Sequence, residues 1–291
     1  MLVSLTVRGI CFAALCLACL LPSRALQAEP GQVHTAPVLN VATLNIAHGR
    51  GTSYNQMLTS GKQIRTNLDA IADVLNQQAV DVLALQEADR ASRWSGRFDH
   101  VEYLARAADY THAYAGVHAT SFLFSFGTAL LSRTPLLDFA SRAFEPTPPT
   151  LTKGYVRGTL LWNPGQQLAD PLRVTLISLH LDFSRPSVRR AQMQQIVEDL
   201  GDRDGPLILM GDFNSEGEGP ESLIQQLCAA LKLKYYADGG DTYRGSTGGR
   251  LDWILIPEEL EFAEHLTLDE ALSDHRLVLA RITLPDREQQ R

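Results

Sequence analysis

The sequence predicts a mixed α/β fold, on three grounds. Short apolar runs of strand length alternate with segments whose apolar residues recur every three to four positions. Several strand-like runs also follow one another directly, which a pure strand–helix–strand repeat would not give. Apolar residues make up 45% of the 291 positions, enough to bury a sizeable core, and charged residues make up only 20%. No internal repeat or long low-complexity tract divides residues 38–285, so one domain is expected there.

The first element is a leader. Arg8 precedes an apolar run from Ile10 to Leu21, and Ser23-Arg24-Ala25 and Leu26-Gln27-Ala28 both have the form of small-residue cleavage sites. A run of about 12 residues is too short to span a bilayer comfortably. Residues 1–28 are therefore expected to be a secretory signal peptide, which makes the protein periplasmic or secreted. A retained anchor is the alternative, as is lipidation at Cys19, which Cys16 fits poorly. Three of the four cysteines, Cys11, Cys16 and Cys19, lie in this leader. That leaves Cys228 alone, with no internal disulfide. Its helical spacing after Leu223, Ile224 and Leu227 makes it a small buried apolar residue, not a nucleophile. Residues 29–37 are polar and proline-bearing, and form a linker.

The remaining elements follow in order. Val38 to Ile46 alternates as a strand and runs into a Gly-rich turn, His48-Gly49-Arg50-Gly51. Ile64, Leu68, Ile71, Ala72 and Leu75 have helical spacing, and Val80 to Leu85 is a short strand. Val101, Leu104, Ala105 and Ala108 indicate a second helix. Strands are expected at 128–132, 155–162 and 172–181. A helix follows at 186–200, with Pro186 in its first turn. A buried strand at 206–210 leads into a turn of Asp, Asn, Ser and Gly. Leu223, Leu227, Ala230 and Leu231 mark a last helix, and 251–256 and 277–282 the final strands. The polar tail, 286–291, carries no anchor signal.

Five polar motifs stand at the ends of apolar runs: Thr43-Leu44-Asn45-Ile46, Leu85-Gln86-Glu87, Ser178-Leu179-His180-Leu181-Asp182, Gly211-Asp212-Phe213-Asn214 and Ser273-Asp274-His275. A set of this kind suits a pocket for a hard metal ion and a phosphate. Magnesium takes oxygen ligands and keeps several waters. Glu87, ending a run where a charge is costly unless bound, is the first candidate ligand, and Asn45 offers an amide oxygen. An ion pair of Glu87 with Arg90 or Arg93, and a turn-capping Asn45, are the plainer alternatives. Phosphoester hydrolysis needs an activated water, neutralised phosphoryl oxygens and a proton for the leaving oxygen. His275 is the best candidate base, with Asp252 placed to orient its other ring nitrogen. His180 is a candidate to protonate the leaving group or bind the phosphate, unless it is a hydrogen-bonded core histidine. Alternation along an extended chain puts Asp212 and Asn214 on one side, as water-orienting or metal-binding and phosphoryl-donor groups. A simple Asx turn would use the same letters, and Asp252 has its own alternative as a cap of the Gly-rich loop before it. His34, His100, His112, His118 and His265 show no metal-ligand spacing. There is no HExxH, cysteine cluster or P-loop, which leaves zinc-protease and nucleoside-triphosphatase chemistry unsupported.

In order and spacing, Asn45, Glu87, His180, Asp212, Asn214, Asp252, Asp274 and His275 resemble the endonuclease/exonuclease/phosphatase superfamily over about residues 38–285. Leu130-Leu131-Ser132-Arg133-Thr134-Pro135 is similar to that group's mid-chain strand. The resemblance implies a four-layered α/β/β/α sandwich with two central, mainly antiparallel sheets. It implies a Mg2+ (or Mn2+) site at Glu87 assisted by Asn45 and Asp274, and a metal-dependent phosphodiesterase acting as a monomer. It also suggests that Asp252 pairs with His275, that Asp212 and Asn214 handle water and phosphate, and that His180 contacts the phosphate or leaving group. Lys153 or Arg157 is expected to supply a cation, unless both are solvated surface charges. The superfamily includes nucleases and lipid-headgroup phosphodiesterases, so nucleic acid and a membrane surface are both candidate partners. The charge of −7 and the absence of any basic run weaken the nuclease option. The aromatic stretch from Ser121 to Phe126 is either a lipid-facing hairpin or a buried strand, and Trp94 either lines the pocket mouth or packs locally. A binding module that keeps the fold without catalysis is the remote alternative, although every expected polar position is filled.

Overall fold

The computed structural model describes residues 32–165, 170–201, 203–217, 219, 222–246 and 248–285. The expected signal peptide, the start of the linker and the polar tail lie outside the described residues. No helix among the described residues is long and apolar enough to cross a membrane.

Twelve strands among these residues form two six-stranded sheets. They are β1 (Leu39–Asn45), β2 (Val82–Asp89), β3 (His112–Thr120), β4 (Ser125–Ser132), β5 (Leu136–Ala143), β6 (Gly154–Trp162), β7 (Leu172–His180), β8 (Leu207–Asp212), β9 (Leu233–Tyr235), β10 (Asp252–Pro257), β11 (Glu261–Thr267) and β12 (Val278–Thr283). The first sheet runs β11-β12-β1-β2-β4-β3 and the second β5-β6-β7-β8-β10-β9. Only β1·β2 and β7·β8 pair in parallel, so both sheets are mainly antiparallel. The strands absent from the sequence expectation are β3, β5, β9 and β11, the four sheet edges.

Helices cover both outer faces. Helix α1 (Gly61–Gln77) starts at Ser60, whose hydroxyl accepts from the Gln63 amide, and α2 (His100–Ala107) starts at Asp99 in the same way. Helix α3 (Pro186–Leu200) carries proline in its first turn, and α4 (Leu223–Leu231) is capped by Ser222. Ile64, Leu68 and Leu104 pack with Ala42, Leu44 and Leu83 of the first sheet. Ile196, Ile224 and Leu227 pack with Ile177, Leu179 and Leu209 of the second. Between the sheets lies a third apolar layer, which includes Val41, Val82, Val156, Leu176, Ile208 and Ile254. The order is helix, sheet, sheet, helix. Cys228 is buried among the α4 contacts and carries no disulfide, and burial pushes its thiol up to about 12.

Side chains alternate along a strand, so each strand sends every second residue between the sheets. On β8 those are Ile208, Met210 and then Asp212; on β7 they are Leu176, Ser178 and His180. On β1 they are Val41, Thr43 and Asn45, and on β10, which runs the other way, Ile256, Ile254 and Asp252. The inter-sheet core thus turns polar at one end, and the same end on all four strands. Thr43, Gln86 and Ser178 form a hydrogen-bonded layer there, Thr43 to Gln86 at 3.3 Å and Gln86 to Ser178 at 3.0 Å. Buried polar groups persist only when paired in this way.

Candidate active site

A cavity of about 390 Å³ opens at this polar end, lined by Asn45, Arg50, Glu87, His180, Asp212, Asn214, Asp274 and His275 among others. A hollow of about 460 Å³ elsewhere, lined by Leu172, Arg203 and Lys232, contains none of these groups. Chemistry, not size, marks the site.

His275 and Asp252 meet as the sequence suggested, with His275 Nδ1 2.7 Å from Asp252 Oδ2. Thr242 donates to the same carboxylate oxygen at 2.7 Å. The other ring nitrogen, Nε2, faces Asp212 Oδ2 at 3.9 Å. Burial alone would lower the His275 pKa, but Asp252 and Asp212 outweigh it and raise it to about 10. Burial, together with the Asp252 carboxylate, pushes Asp212 up to about 7 against the opposing pull of His275. The two groups act as a coupled pair.

Asp212 is held from both sides. Asn45 Nδ2 donates to Oδ2 at 3.0 Å and the Asn214 amide to Oδ1 at 2.9 Å. Asn214 spends one side-chain proton on the Leu181 carbonyl, and the other remains for the pocket it lines. Close approach of β8 to β7 brings Asp212 beside His180. It depends on Gly211, where a Cβ would stand 2.1 Å from the Leu179 carbonyl oxygen.

His180 Nε2 lies 3.4 Å from Asp212 and 4.0 Å from Glu87, while Nδ1 faces Lys153 Nζ at 3.4 Å. Burial and the Lys153 charge hold this imidazole well below its ordinary pKa. A neutral ring that accepts from Lys153 at Nδ1 carries its proton on Nε2, facing the two carboxylates.

Glu87 occupies a β-bulge, where the β2–β4 register shifts between Leu85 and Ala88. Its φ of +50° turns the side chain away from the ladder and into the cavity. Ala47, His48 and Asn214 share this positive-φ conformation. Glu87 faces His48 Nε2 at 3.3 Å and Lys153 Nζ at 3.8 Å. Burial would raise its pKa, but His48, Lys153 and His180 outweigh that and hold it well below the carboxylate range. The ion pair with Arg90 or Arg93 does not form, since Arg90 pairs with Asp99 at 2.5 Å.

Two expected residues are placed differently. Arg157 projects from the outer face of β6 and is exposed, on the same side as Tyr155, so it points away from the cavity. Lys153 takes the cationic place alone, buried just before β6 begins. Asp274 lines the cavity, but its carboxylate is engaged by Arg50 at 2.5 Å. Ser121 to Phe124 form the turn between β3 and β4, while Ser125 and Phe126 begin β4 and Phe126 is buried, so only the end of the stretch is a buried strand.

His48 and Asp89 have no role in the sequence reading, yet they complete one wall. Asp89, fully buried, sits 2.7 Å from His48 Nδ1 and accepts from the Trp94 indole at 2.8 Å. Burial would lower the His48 pKa, but Glu87 and Asp89 together raise it. The available signal was the second carboxylate two places after Glu87, and a histidine in the Gly-rich turn just past Asn45. Trp94 therefore backs the pocket wall through His48, 4.9 Å away ring to ring.

Asp182, the last letter of the Ser178–Asp182 motif, serves structure. It accepts from the Ser184 and Arg185 amides in the turn that leads into α3, and Thr150 donates to it at 2.6 Å. Burial would raise its pKa, but these hydrogen bonds outweigh it and hold it at about 2. A depressed carboxylate pKa gives stability that is present above the unfolded value of about 4 and is lost as pH falls toward 2. Asp182→Asn is therefore expected to flatten the loss of stability between pH 5 and about 2, measured by urea midpoints.

The donors present suit a hard divalent cation. The carboxylates of Glu87, Asp212, Asp252 and Asp274 and the Asn45 amide supply oxygen, and Cys228 lies in the α4 layer. Asp212, Asp252 and His275 offer ligand atoms within 4.8 Å of one another, and Asp252 Oδ1 is buried without a hydrogen-bond partner.

Solved structures share this architecture. An endonuclease/exonuclease/phosphatase family protein from Leptotrichia buccalis C-1013-b matches with a TM-score of 0.65 at 17% identity, over 84% of this chain and 100% of that one. The mannosyl-6-phosphatase Bt3783 of Bacteroides thetaiotaomicron VPI-5482 matches at 0.57 and 16%, over 84% and 100%. Beta toxin from Staphylococcus aureus matches at 0.59 and 16%, over 83% and 99%. No curated protein sequence matches. Residues 42–275 match the endonuclease/exonuclease/phosphatase family, a span that contains every site residue just described. The chain therefore belongs to the endonuclease/exonuclease/phosphatase family of phosphoester-hydrolysing enzymes.

Proposed function

We propose that the protein is an exported, divalent-metal-dependent phosphodiesterase that hydrolyses its ester by attack of an activated water. The observation that carries this reading is the coupled pair of Asp212 and His275, with Asp252 behind the imidazole, beside Glu87 in one cavity. The leader over residues 1–28 supports export.

Glu87, with the Asn45 amide oxygen in the same cavity, would hold magnesium or manganese. Such an ion supplies positive charge to the phosphoryl oxygens and favours ionisation of water. The chain's own groups then divide the remaining work. The Asp212 carboxylate accepts the water's proton beside the charged His275 imidazole, which Asp252 fixes so that Nε2 faces the cavity. Neutral His180 presents Nε2–H to a phosphoryl or leaving oxygen, and Lys153 adds a fixed cation behind it. The free amide proton of Asn214 is a further donor. A diester, with one negative charge, suits a cavity rich in carboxylates better than a dianionic monoester. The acidic balance of the chain and its exposed apolar loops favour a lipid or glycolipid headgroup over nucleic acid.

The test is hydrolysis of bis-p-nitrophenyl phosphate, DNA, RNA, sphingomyelin and glycerophospholipids with magnesium, manganese or EDTA. Metal-dependent turnover of a diester, silenced by EDTA, is expected. Turnover of monoesters alone would overturn the diester reading, and no turnover on any substrate would favour a binding module.

A further inference from the structure

Three loops on the Trp94 side of the cavity are tied into one surface. Gln56 donates to the carbonyls of His48 and Trp94, both at 3.4 Å. The amides of Arg93 and Trp94 donate to the Leu123 carbonyl at 2.8 and 3.2 Å. The indole of Trp94 stacks on Phe124, with ring centroids 4.6 Å apart. This packing holds the loops together but leaves their tips bare. Tyr54 is fully exposed, Met57 is 65% exposed, Leu58 82% and Phe122 75%. Single exposed apolar residues need no explanation, but four on loops that brace one another form a patch.

The segments that form the patch carry only basic charges. Residues 50–68, 90–98 and 113–137 contain no aspartate or glutamate, in a chain with 33 acidic residues. Arg50 and Arg90 are committed to Asp274 and Asp99. Lys62, Arg93 and Arg97 are exposed and make no ion pair among the described residues. The Arg93 guanidinium lies over the Phe122 ring, 5.5 Å from its centre.

We propose that this three-loop face is a docking surface for an anionic lipid bilayer, which brings the cavity mouth to the membrane. Aromatic and aliphatic tips flanked by unpaired cations suit the headgroup–acyl boundary, where apolar burial and attraction to anionic lipid add. Three unpaired cations are few for gripping a nucleic-acid backbone. Met57 and Leu58 offer no ring for a base to stack on. The surface is independent of the catalytic assignment; only its use in presenting a lipid substrate rests on the phosphodiesterase reading.

Cosedimentation tests it, with phosphatidylcholine vesicles with and without phosphatidylglycerol. The protein is expected to bind the anionic vesicles preferentially. The double variant Leu58→Ser, Phe122→Ser should bind them roughly tenfold or more weakly, since each apolar tip it removes contributes to interfacial burial. Arg93→Glu should remove much of the preference for anionic lipid, as one cation near such a surface is worth roughly fivefold. All these residues are exposed, and unchanged thermal melts would establish that the variants fold. Turnover of soluble bis-p-nitrophenyl phosphate is measured alongside. Its failure in every form would sink the catalytic reading and leave the binding result standing. Equal vesicle binding by the double variant would overturn the proposal and assign binding to the apolar N-terminal segment. So would self-association or single-stranded DNA binding that the same substitutions abolish, with no vesicle binding.

Discussion

His275→Ala is expected to reduce turnover by a factor of roughly 10² to 10⁴, the range for loss of a positioned proton-transfer group. Among the described residues the imidazole alone bridges Asp252 and Asp212, at 2.7 and 3.9 Å. Without it the two carboxylates face one another across paired backbone positions, since Asp252 and Asp212 are partners in the β8–β10 ladder. Asp212 would then bind its proton more tightly and lose its value as an acceptor at neutral pH. The loss should fall on kcat more than on KM, because His275 acts on the water and not on the bound ester. Thr242 still donates to Asp252, so the fold should survive, and circular dichroism is expected to be unchanged. A variant with normal kcat would remove His275 from the mechanism.

Glu87→Gln is the second large effect. The substitution keeps the shape and removes the charge. Glu87 is the carboxylate that His48, Lys153 and His180 share, and its pKa is held low by all three. Loss of a group that merely supports a metal ligand costs roughly 10- to 100-fold in metal affinity or activity, so loss of the proposed ligand should cost more. The metal concentration for half-maximal activity should rise, and calorimetry with magnesium or manganese should show weaker binding. The side chain sits at a strained φ and a fifth of it is open to the cavity. Its charge is held by three cations, so the replacement should also cost some thermal stability, and metal binding is read below the variant's melting temperature. Unaltered metal dependence would move the ion elsewhere, with Asp212, Asp252 and His275 the next group to test.

Much of this arrangement was legible as sequence because buried strands are plain apolar runs. The eight interior strands all announce themselves in that way, and on β1, β2, β7 and β8 the polar letters at the end of the run mark the site. The four edge strands do not. β11, for example, alternates exposed and half-buried positions, and β5 is mostly exposed beyond Leu136. An edge strand has one neighbour and little core to cover, so its composition is set by solvent. Glu87 was visible as a residue, but its aim was not. The bulge that turns it into the cavity depends on the register with β4, a contact with residues forty positions away. Arg157 was misplaced for a related reason. It and Lys153 are close in sequence, but Lys153 precedes the strand while Arg157 lies on its outer face. Asp274 looked free because its partner, Arg50, is separated from it by most of the chain.

The inter-sheet face of β1, β7, β8 and β10 has a consequence for how this sequence can change. The same alternation that buries Val41, Leu176, Ile208 and Ile254 delivers Asn45, His180, Asp212 and Asp252 to the cavity. Insertion or deletion of one residue within any of these strands reverses every side chain beyond it. Such a change would put polar groups into the core and apolar ones into the pocket together. Length variation among descendants of this chain is thereby confined to the loops, and the strands can drift only by substitution in place.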